Sequence, residues 1–200
     1  MNYVLILINY FPDYLKLILN SILSVDSDAK IILCNNQNKF IKHENIINID
    51  LNDINSELLS EFNNLEVFKS SIYEENPLWV TSVQRIFYLN EVISNLELSN
   101  VIHFDNDVVI YKPFEEIKSL FHANKINITP YNENKFTFGY SFLKNSSISL
   151  KLAIKVLCAY EEGKKCNWNF TNGKPLNEME LIILSLQILL KRKCIDFYHY

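Results

Sequence analysis

Two carboxylates one residue apart, Asp105 and Asp107, interrupt an otherwise apolar run, Val101-Ile102-His103-Phe104-Asp105-Asn106-Asp107-Val108-Val109-Ile110-Tyr111. Charges carried into such a stretch need a cation, a ligand or water to offset their desolvation. Side chains alternate in extended backbone, so Asp105 and Asp107 are expected on one side of the chain and Asn106 on the other. Paired in this way they form a hard-oxygen clamp. It suits Mg²⁺ or Mn²⁺, ions that keep several waters and take one or two protein carboxylates together with phosphate oxygens of a substrate. A metal-bridged diphosphate is the ligand class this chemistry indicates. A solvated Asp-Asn-Asp turn after a strand is the bland alternative, and short Asp-x-Asp matches are common. His103 shares the side of Asp105 under the same alternation. It reads either as a third ligand or, more commonly for a His in an apolar strand, as a core residue with one satisfied nitrogen.

The choice between clamp and turn depends on where the pair sits. Apolar runs of strand length alternate with longer segments of helical period, the pattern of a largely parallel sheet covered by helices, so the fold class is α/β. Residues 3–9 read as a first strand, and Pro12-Asp13 then opens a helix in which Tyr14, Leu17, Ile18, Ile22 and Leu23 can share a face. Residues 30–34 make a second strand that ends at Asn35-Asn36, residues 41–51 include a short third one, and the polar region 52–75 carries no clear period. From Thr81 to Leu96, the spacing of Val83, Ile86, Phe87, Leu89, Val92, Ile93 and Leu96 predicts an amphipathic helix that leads directly into the strand before the acidic pair. The pair is thereby placed at the carboxyl end of a strand. Ligands of open α/β sheets gather there, which favours the clamp over the turn.

Downstream, Pro113 breaks the chain, residues 114–121 are expected to be helical, and residues 126–129 and 135–143 read as strands. Ser146 or Ser147 is expected to cap a helix that runs to about Glu162 and stops at Gly163; Lys164-Lys165 and Asn172-Gly173-Lys174-Pro175 mark a loop, and Asn177 caps a last helix from Glu178 to about Lys193.

Composition excludes several classes. With 200 residues, 48% hydrophobic, including 13 Phe and 11 Tyr, the chain can bury a core as one domain. A net charge of −4 argues against a nucleic-acid binder driven by overall charge, so any phosphate contact is local. Cys34, Cys158, Cys166 and Cys194 show neither Cys-x-x-Cys nor zinc spacing with His, and read as reduced, mostly buried thiols. The run Val4-Leu5-Ile6-Leu7-Ile8 has no basic leader and is too short to span a bilayer, which makes a cytoplasmic protein the expectation. Asn127-Ile128-Thr129, Asn145-Ser146-Ser147 and Asn169-Phe170-Thr171 fit the glycosylation pattern, as an Asn-rich chain does by chance.

Trp79-Val80-Thr81-Ser82-Val83-Gln84-Arg85-Ile86-Phe87-Tyr88-Leu89, followed by Asn100-Val101-Ile102-His103-Phe104-Asp105-Asn106-Asp107-Val108, resembles the GT-A nucleotide-sugar glycosyltransferases, whose aspartate-x-aspartate motif follows a helix carrying an arginine. Phe136-Thr137-Phe138-Gly139-Tyr140 is similar to the family's strand with a glycine at the sugar site, and Asn177-Glu178-Met179-Glu180 to its later acidic helix start. The resemblance implies a Rossmann-like GT-A fold in one catalytic domain, 1–200, with a donor-binding half to about residue 112 and an acceptor-side half beyond it. It implies a transferase that binds a nucleoside-diphosphate sugar, most often a UDP-sugar, through Mn²⁺ or Mg²⁺, and passes the sugar to a hydroxyl of a glycan or lipid-linked acceptor. Asp107 would ligate the metal, and Asp105 would reach it directly or through water, or hold the ribose. Asn106 lies in the same donor-contacting turn. Arg85 would add a diphosphate contact, for which its planar fork is suited, although an ion-pair arginine is the ordinary alternative. Asn9 and Asn35 fall where the family binds base and ribose; a turn role is the commoner one for asparagine. Glu178 and Glu180 would hold the acceptor hydroxyl or act as general base, in positions where the helix dipole also favours acids. The family often draws a further metal ligand from a C-terminal segment, and His199 is the late histidine available. Thr137-Phe138 stands where relatives carry Asn or small residues, which predicts an altered or crowded sugar pocket.

Two other classes share these features. Asp105-Asn106-Asp107-Val108-Val109 also resembles the nucleophile loop of haloacid-dehalogenase-like phosphatases, which however sits near the start of that domain and needs further downstream acids. A non-catalytic sugar- or nucleotide-binding pseudoenzyme is the non-enzymatic alternative. Lys191-Arg192-Lys193 would touch an anionic membrane surface, or simply complement a helix C-terminus.

Overall fold

Both faces of the first strand are apolar. Tyr3, Leu5 and Leu7 alternate with Val4 and Ile6, so this segment can only sit between two covering layers. The computed structural model, which describes residues 1–65, 71–132 and 135–165, places it at the centre of a six-stranded sheet. The elements run β1 (Asn2–Leu7), α1 (Leu15–Val25), β2 (Lys30–Asn35), β3 (Ile46–Asp50), α2 (Glu57–Asn63), α3 (Ser71–Glu75), α4 (Leu78–Asn95), β4 (Val101–Phe104), α5 (Phe114–Ile117), β5 (Asn127–Asn132), β6 (Lys135–Leu143) and α6 (Ser146–Lys165). Sheet order is β3-β2-β1-β4-β6-β5. β3, β2, β1 and β4 pair in parallel, and β6 is antiparallel to both β4 and β5. The expected α/β architecture with a mostly parallel sheet is thus observed.

The chain winds from β1 outward through β2 to β3, and then returns to the other side of β1 as β4. That reversal creates a crevice beyond the carboxyl ends of β1 and β4. β1 matches β2 over the whole of Asn2–Leu7 but matches β4 only from Asn2↔Val101 to Val4↔His103, so the two strands part just before the acidic pair.

The core has two parts, one per face. Val4, Ile6, Ile32, Cys34 and Val101 pack under α2, α4 and α6, with Phe62, Val83, Ile86, Phe87, Val92, Ile93, Leu152 and Val156. Tyr3, Leu5, Leu7, Ile31, Leu33, Ile102 and Phe104 pack against α1 and α5, with Leu15, Ile18, Leu19, Ile22 and Phe114. A buried polar link joins two helices of the first layer: Ser149 Oγ donates to Asn90 Oδ1 at 3.1 Å.

Several local expectations are corrected. α1 begins at Leu15, and its buried face is Leu15, Ile18, Leu19 and Ile22, while Tyr14 and Leu17 are exposed. An i, i+3, i+4, i+7 stripe anchored one residue later is the better apolar seam. The first strand ends at Leu7, and Leu96 lies just past α4. The polar region 52–75 contributes α2 and α3, and Ser56 Oγ accepts from the Leu59 N–H at 3.1 Å as the cap of α2. Asn145 rather than Ser146 or Ser147 caps α6, its Oδ1 accepting from the Ile148 N–H at 3.2 Å. α6 runs through Gly163 to Lys165; one interior glycine costs only about 1 kcal/mol relative to alanine. Of the thiols, Cys34 is buried, and burial pushes it well above the ordinary thiol range, whereas Cys158 is exposed. Among the described residues no helix is long and apolar enough to cross a membrane.

Phe87 is fully buried on α4 and packs against Phe62 with the rings tilted by 34° and their centroids 4.9 Å apart. Phe87→Ala is expected to lower stability by about 3–5 kcal/mol. The check is urea unfolding, with a lower midpoint at unchanged slope.

Candidate functional site

Helical period places Leu78, Ser82 and Arg85 on one stripe of α4, with Thr81 and Trp79 flanking it on either side. That side forms one wall of a cleft of about 550 Å³, within the size range of small-molecule sites. Ile6, Ile8 and Tyr10 from the end of β1 form another wall, Asp105, Asn106 and Asp107 the floor after β4, and Thr137 of β6 a flank. The first turn of α4 belongs to the lining, so the positive end of the helix dipole adds to the Arg85 charge.

The acidic pair is not in extended backbone. Val108 N–H donates to the Asp105 carbonyl at 3.1 Å and closes a turn over residues 105–108, so the alternation argument fails. Asp and Asn suit such turns because their short polar side chains satisfy local backbone groups. Both carboxylates line the cleft nonetheless. After the turn, Ile110 N–H donates to Ser21 Oγ of α1 at 3.0 Å, which ties the loop to the opposite layer.

Asp105 is held on three sides. Its backbone N–H donates to the Gly139 carbonyl at 3.0 Å. Its Oδ1 pairs with Nη1 of Arg85, whose Nε donates to the Ser82 carbonyl at 3.3 Å. Its Oδ2 lies 2.9 Å from where a Cβ on Gly139 would stand, and Thr137 Oγ1 lies 3.1 Å from the same point. A Cβ at residue 139 would displace the carboxylate, and glycine leaves room for its close approach to the strand. Asp107 by contrast is exposed.

His103 is in the core. Its Nδ1–H donates to the Val4 carbonyl at 2.8 Å, and Phe138 lies against its ring with centroids 5.1 Å apart. That bond fixes the tautomer and leaves Nε2 as a buried acceptor without a partner among the described residues. Burial above all, and the Arg85 charge second, push its pKa down to about 4, so the ring is neutral. Phe138 is buried with it, and the crowding of the cleft expected from Thr137-Phe138 does not arise. Only Thr137 reaches the lining.

Asn9 and Asn35 stand at the ends of β1 and β2, outside the lining. Asn9 has φ 59° and exchanges two bonds with Asn36: its N–H donates to Oδ1, and its own Oδ1 accepts from Nδ2, both at 2.8 Å. Asn35 is buried; Nδ2 donates to the Lys39 carbonyl at 2.8 Å, and Oδ1 accepts from the Gln37 N–H at 3.0 Å. Glu178, Glu180, His199 and Lys191-Arg192-Lys193 lie outside the described residues. The lining residues Ile6, Ile8, Tyr10 and Leu78 are not among the sites the sequence suggests, whereas Thr137 is. The helical spacing from Arg85 back to Leu78 was the one signal that could have found one of them.

No protein-family model matches the chain, and no match is found among curated proteins. Solved structures do match. An active-site mutant of LgtC superposes with a TM-score of 0.58 at 15% identity, over 93% of this chain and 70% of that one. The galactosyltransferase LgtC in complex with donor and acceptor sugar analogs gives 0.57 at 15% identity, with the same coverage. The apo-form glycosyltransferase GlyE of Streptococcus pneumoniae TIGR4 gives 0.52 at 14% identity, over 94% of this chain and 42% of GlyE. At such identities the likeness establishes the fold, which is the GT-A fold of these proteins.

Two expectations follow from this geometry. Gly139→Ala should leave the fold intact, with stability within about 1 kcal/mol, because a flexible carboxylate can yield where backbone could not. A crystal structure of the variant should show Asp105 swung off β6, and an unmoved carboxylate would contradict the fit described. His103 concerns pH. Unfolded, its ring takes up a proton near 6.5, and folded only near 4, so the unfolded state binds more protons in between and stability rises with pH across that window. In EDTA, urea unfolding of the wild type should lose up to roughly 3 kcal/mol more than His103→Leu between pH 6.5 and 4.

Proposed function

We infer that this protein is a glycosyltransferase that binds a nucleoside-diphosphate sugar, a UDP-sugar on the resemblance of its motifs, and transfers the sugar to a hydroxyl of a glycan or lipid-linked acceptor. The observation that carries the reading is the meeting of Asp105, Asp107 and Arg85 in one cleft at the reversal point of a GT-A sheet. LgtC, of the same fold, has been solved with donor and acceptor sugar analogs, and that supports a comparable pair of ligands for this cleft.

The residues present fit a divalent cation. Among the described residues no group of three or more His, Cys, Asp or Glu could hold a metal unaided. Two carboxylates with no nitrogen or sulfur donor are the set expected for Mg²⁺ or Mn²⁺ that completes its shell with water and phosphate oxygens. Asp107, exposed in the cleft, would be the first ligand and Asp105 the second. A bound cation would supply Lewis-acid stabilisation of the charge that grows on the departing diphosphate.

The chain's own groups supply the rest. Arg85 offers a forked, permanently charged donor to the diphosphate. Ile6, Ile8, Tyr10 and Trp79 give an apolar and aromatic wall on which a base or a sugar face can pack. Proton removal from the acceptor hydroxyl is assigned to Glu178 or Glu180, as the resemblance implies.

The test is calorimetric titration of UDP, UDP-glucose and UDP-galactose with Mn²⁺ and with EDTA. Binding is expected with Mn²⁺ alone among these conditions. Asp107→Ala should weaken it at least tenfold, about 1.4 kcal/mol, with unfolding unchanged. A well-folded wild type that binds none of these, nor GDP- and CMP-sugars, would overturn the reading. Metal-dependent binding with no transfer to any acceptor would favour the pseudoenzyme.

A further inference from the structure

Beside the cleft the surface carries large apolar side chains that the core does not use. Tyr14 stands just before α1, and Tyr14, Leu17 and Ser21 fall at i, i+3 and i+7 along one stripe of that helix. Tyr14 and Leu17 are exposed, as are Tyr10 and Tyr111, the last with 83% of its surface open. The Tyr14 hydroxyl is held above its ordinary pKa, by desolvation first and then by Tyr10 and Asp107, so these three side chains lie within electrostatic reach of one another. At the far end of the stripe, Ser21 Oγ donates to the Ile18 carbonyl at 2.7 Å and accepts from the Ile110 N–H, and Tyr111 follows directly on that contact. α1 advances roughly 10 Å from Tyr14 to Ser21, and three nearly extended residues cover about the same span. The chain from Asp107 to Ile110 thus runs alongside the helix, with Val108 and Val109 half-buried against the layer that holds Leu15 and Ile18. The outcome is a strip between helix and loop. It starts at the cleft, where Tyr10 and Asp107 both belong to the lining, and leaves it past Tyr14 and Leu17 toward Tyr111.

We propose that the strip of Tyr14, Leu17 and Tyr111 binds the outer units of a neutral oligosaccharide whose end unit sits in the cleft as acceptor. The proposal rests on the nucleotide-sugar reading above and adds the acceptor class to it: a chain of several uncharged sugars. Tyrosine suits such a ligand. The C–H face of a sugar ring packs on the negative face of the phenol ring, and the phenol oxygen both donates to and accepts from hydroxyls at the sugar's edge. The charges along the strip favour a neutral partner, since exposed Asp13 is offset by exposed Lys16, and Lys112 is paired with Glu116 at 3.2 Å. With Asp107 at the cleft end there is no cationic surplus, so neither an anionic membrane surface nor a nucleic acid is attracted. Size weighs against a protein partner. Four side chains of this kind expose roughly a few hundred Å², short of the about 800 Å² that each side of a stable protein interface covers. A narrow strip continuous with a small-molecule cleft matches a chain-like ligand that enters the cleft at one end.

The test applies the whole chain to an array of neutral and acidic oligosaccharides and, separately, to vesicles of phosphatidylcholine with phosphatidylglycerol. The neutral oligosaccharide bound best, and its end monosaccharide alone, are then titrated by saturation-transfer NMR against wild type, Leu17→Ala, Tyr111→Ala and the double variant. Both side chains are exposed, so each single variant should unfold in urea as the wild type does. The wild type should bind the oligosaccharide at least tenfold more tightly than the monosaccharide. The double variant should lose most of that gain, while the monosaccharide, and UDP with Mn²⁺, bind as before. No binding of any neutral oligosaccharide, a preference for acidic ones, or a chain-length gain that the double variant keeps would each overturn the proposal. So would capture by the anionic vesicles that the double variant loses, which would mark the strip as a membrane contact. Failure of the wild type to bind UDP with Mn²⁺ would instead remove the nucleotide-sugar reading and the acceptor role with it; the chain-length comparison would still decide whether the strip binds a glycan.

Discussion

The contact on which the cleft depends is the approach of the Asp105 carboxylate to the backbone of β6. Asp105 receives its position from a strand that is close in space and distant in sequence: Phe104 pairs with Tyr140, and the next step along β4 brings the Asp105 N–H to the Gly139 carbonyl. A side chain at Gly139 would occupy the space of Oδ2. The acidic turn is therefore set by an antiparallel pairing that forms only when the second half of the chain is in place. The same pairing fixes where Arg85 finds its partner, since α4 crosses the sheet on the layer that also covers β6.

A sheet this well paired needs a reason to open where the cleft lies. β1 and β4 are in register only as far as Val4 and His103, and at that last step the His103 ring, rather than the backbone ladder alone, supplies a bond across the two strands. Beyond it β1 continues to Leu7 along β2, while β4 ends at Phe104 and turns. His103 thus closes the dry part of the sheet directly behind the wet part. Its unpartnered Nε2 carries a cost of about 1–3 kcal/mol that a hydrocarbon side chain would not. What histidine offers in return is a flat ring that bonds Val4 on one edge and packs on Phe138 with its face. Among the described residues that line the cleft, Arg85 is the one cationic side chain.

The α/β class and the order of most elements were legible because they rest on local periodicity. Alternation in residues 2–7 and the i, i+3, i+4 spacing of Val83, Ile86 and Phe87 are properties of short windows. The placement of the acidic pair was also legible, since a helix leading into a strand puts the following residues at a carboxyl end. The pair's local geometry was not. An Asp-Asn-Asp segment can continue a strand or fold into a turn; here the Val108 N–H closes a turn on the Asp105 carbonyl, and the Asp105 N–H is held by the Gly139 carbonyl, which no window around residue 105 contains. Phe138 is hard to place for the same reason, because alternation along β6 sends Thr137 to the cleft and Phe138 to the core only once the register with β4 is known. The start of α1 at Leu15 and the cap at Asn145 are smaller errors of phase. In each case several neighbouring residues could play the part, and packing chose one.

The environment of Asp105 also bears on which carboxylate chemistry the cleft can support. A carboxylate that attacks phosphorus must present a free oxygen in line with the bond that breaks. Asp105 has Oδ1 paired with the Arg85 cation, and its Oδ2 lies beside Gly139 of β6. A phosphatase of the haloacid-dehalogenase type would need this first aspartate to be the open one, and here the open one is the second. Coordination makes a weaker demand: a ligand needs one lone pair directed at the metal, and the exposed Asp107 can offer it. The asymmetry between an enclosed Asp105 and an exposed Asp107 therefore argues for holding a cation over forming a covalent intermediate, and it does so from the two residues' own surroundings, independently of the likeness in fold.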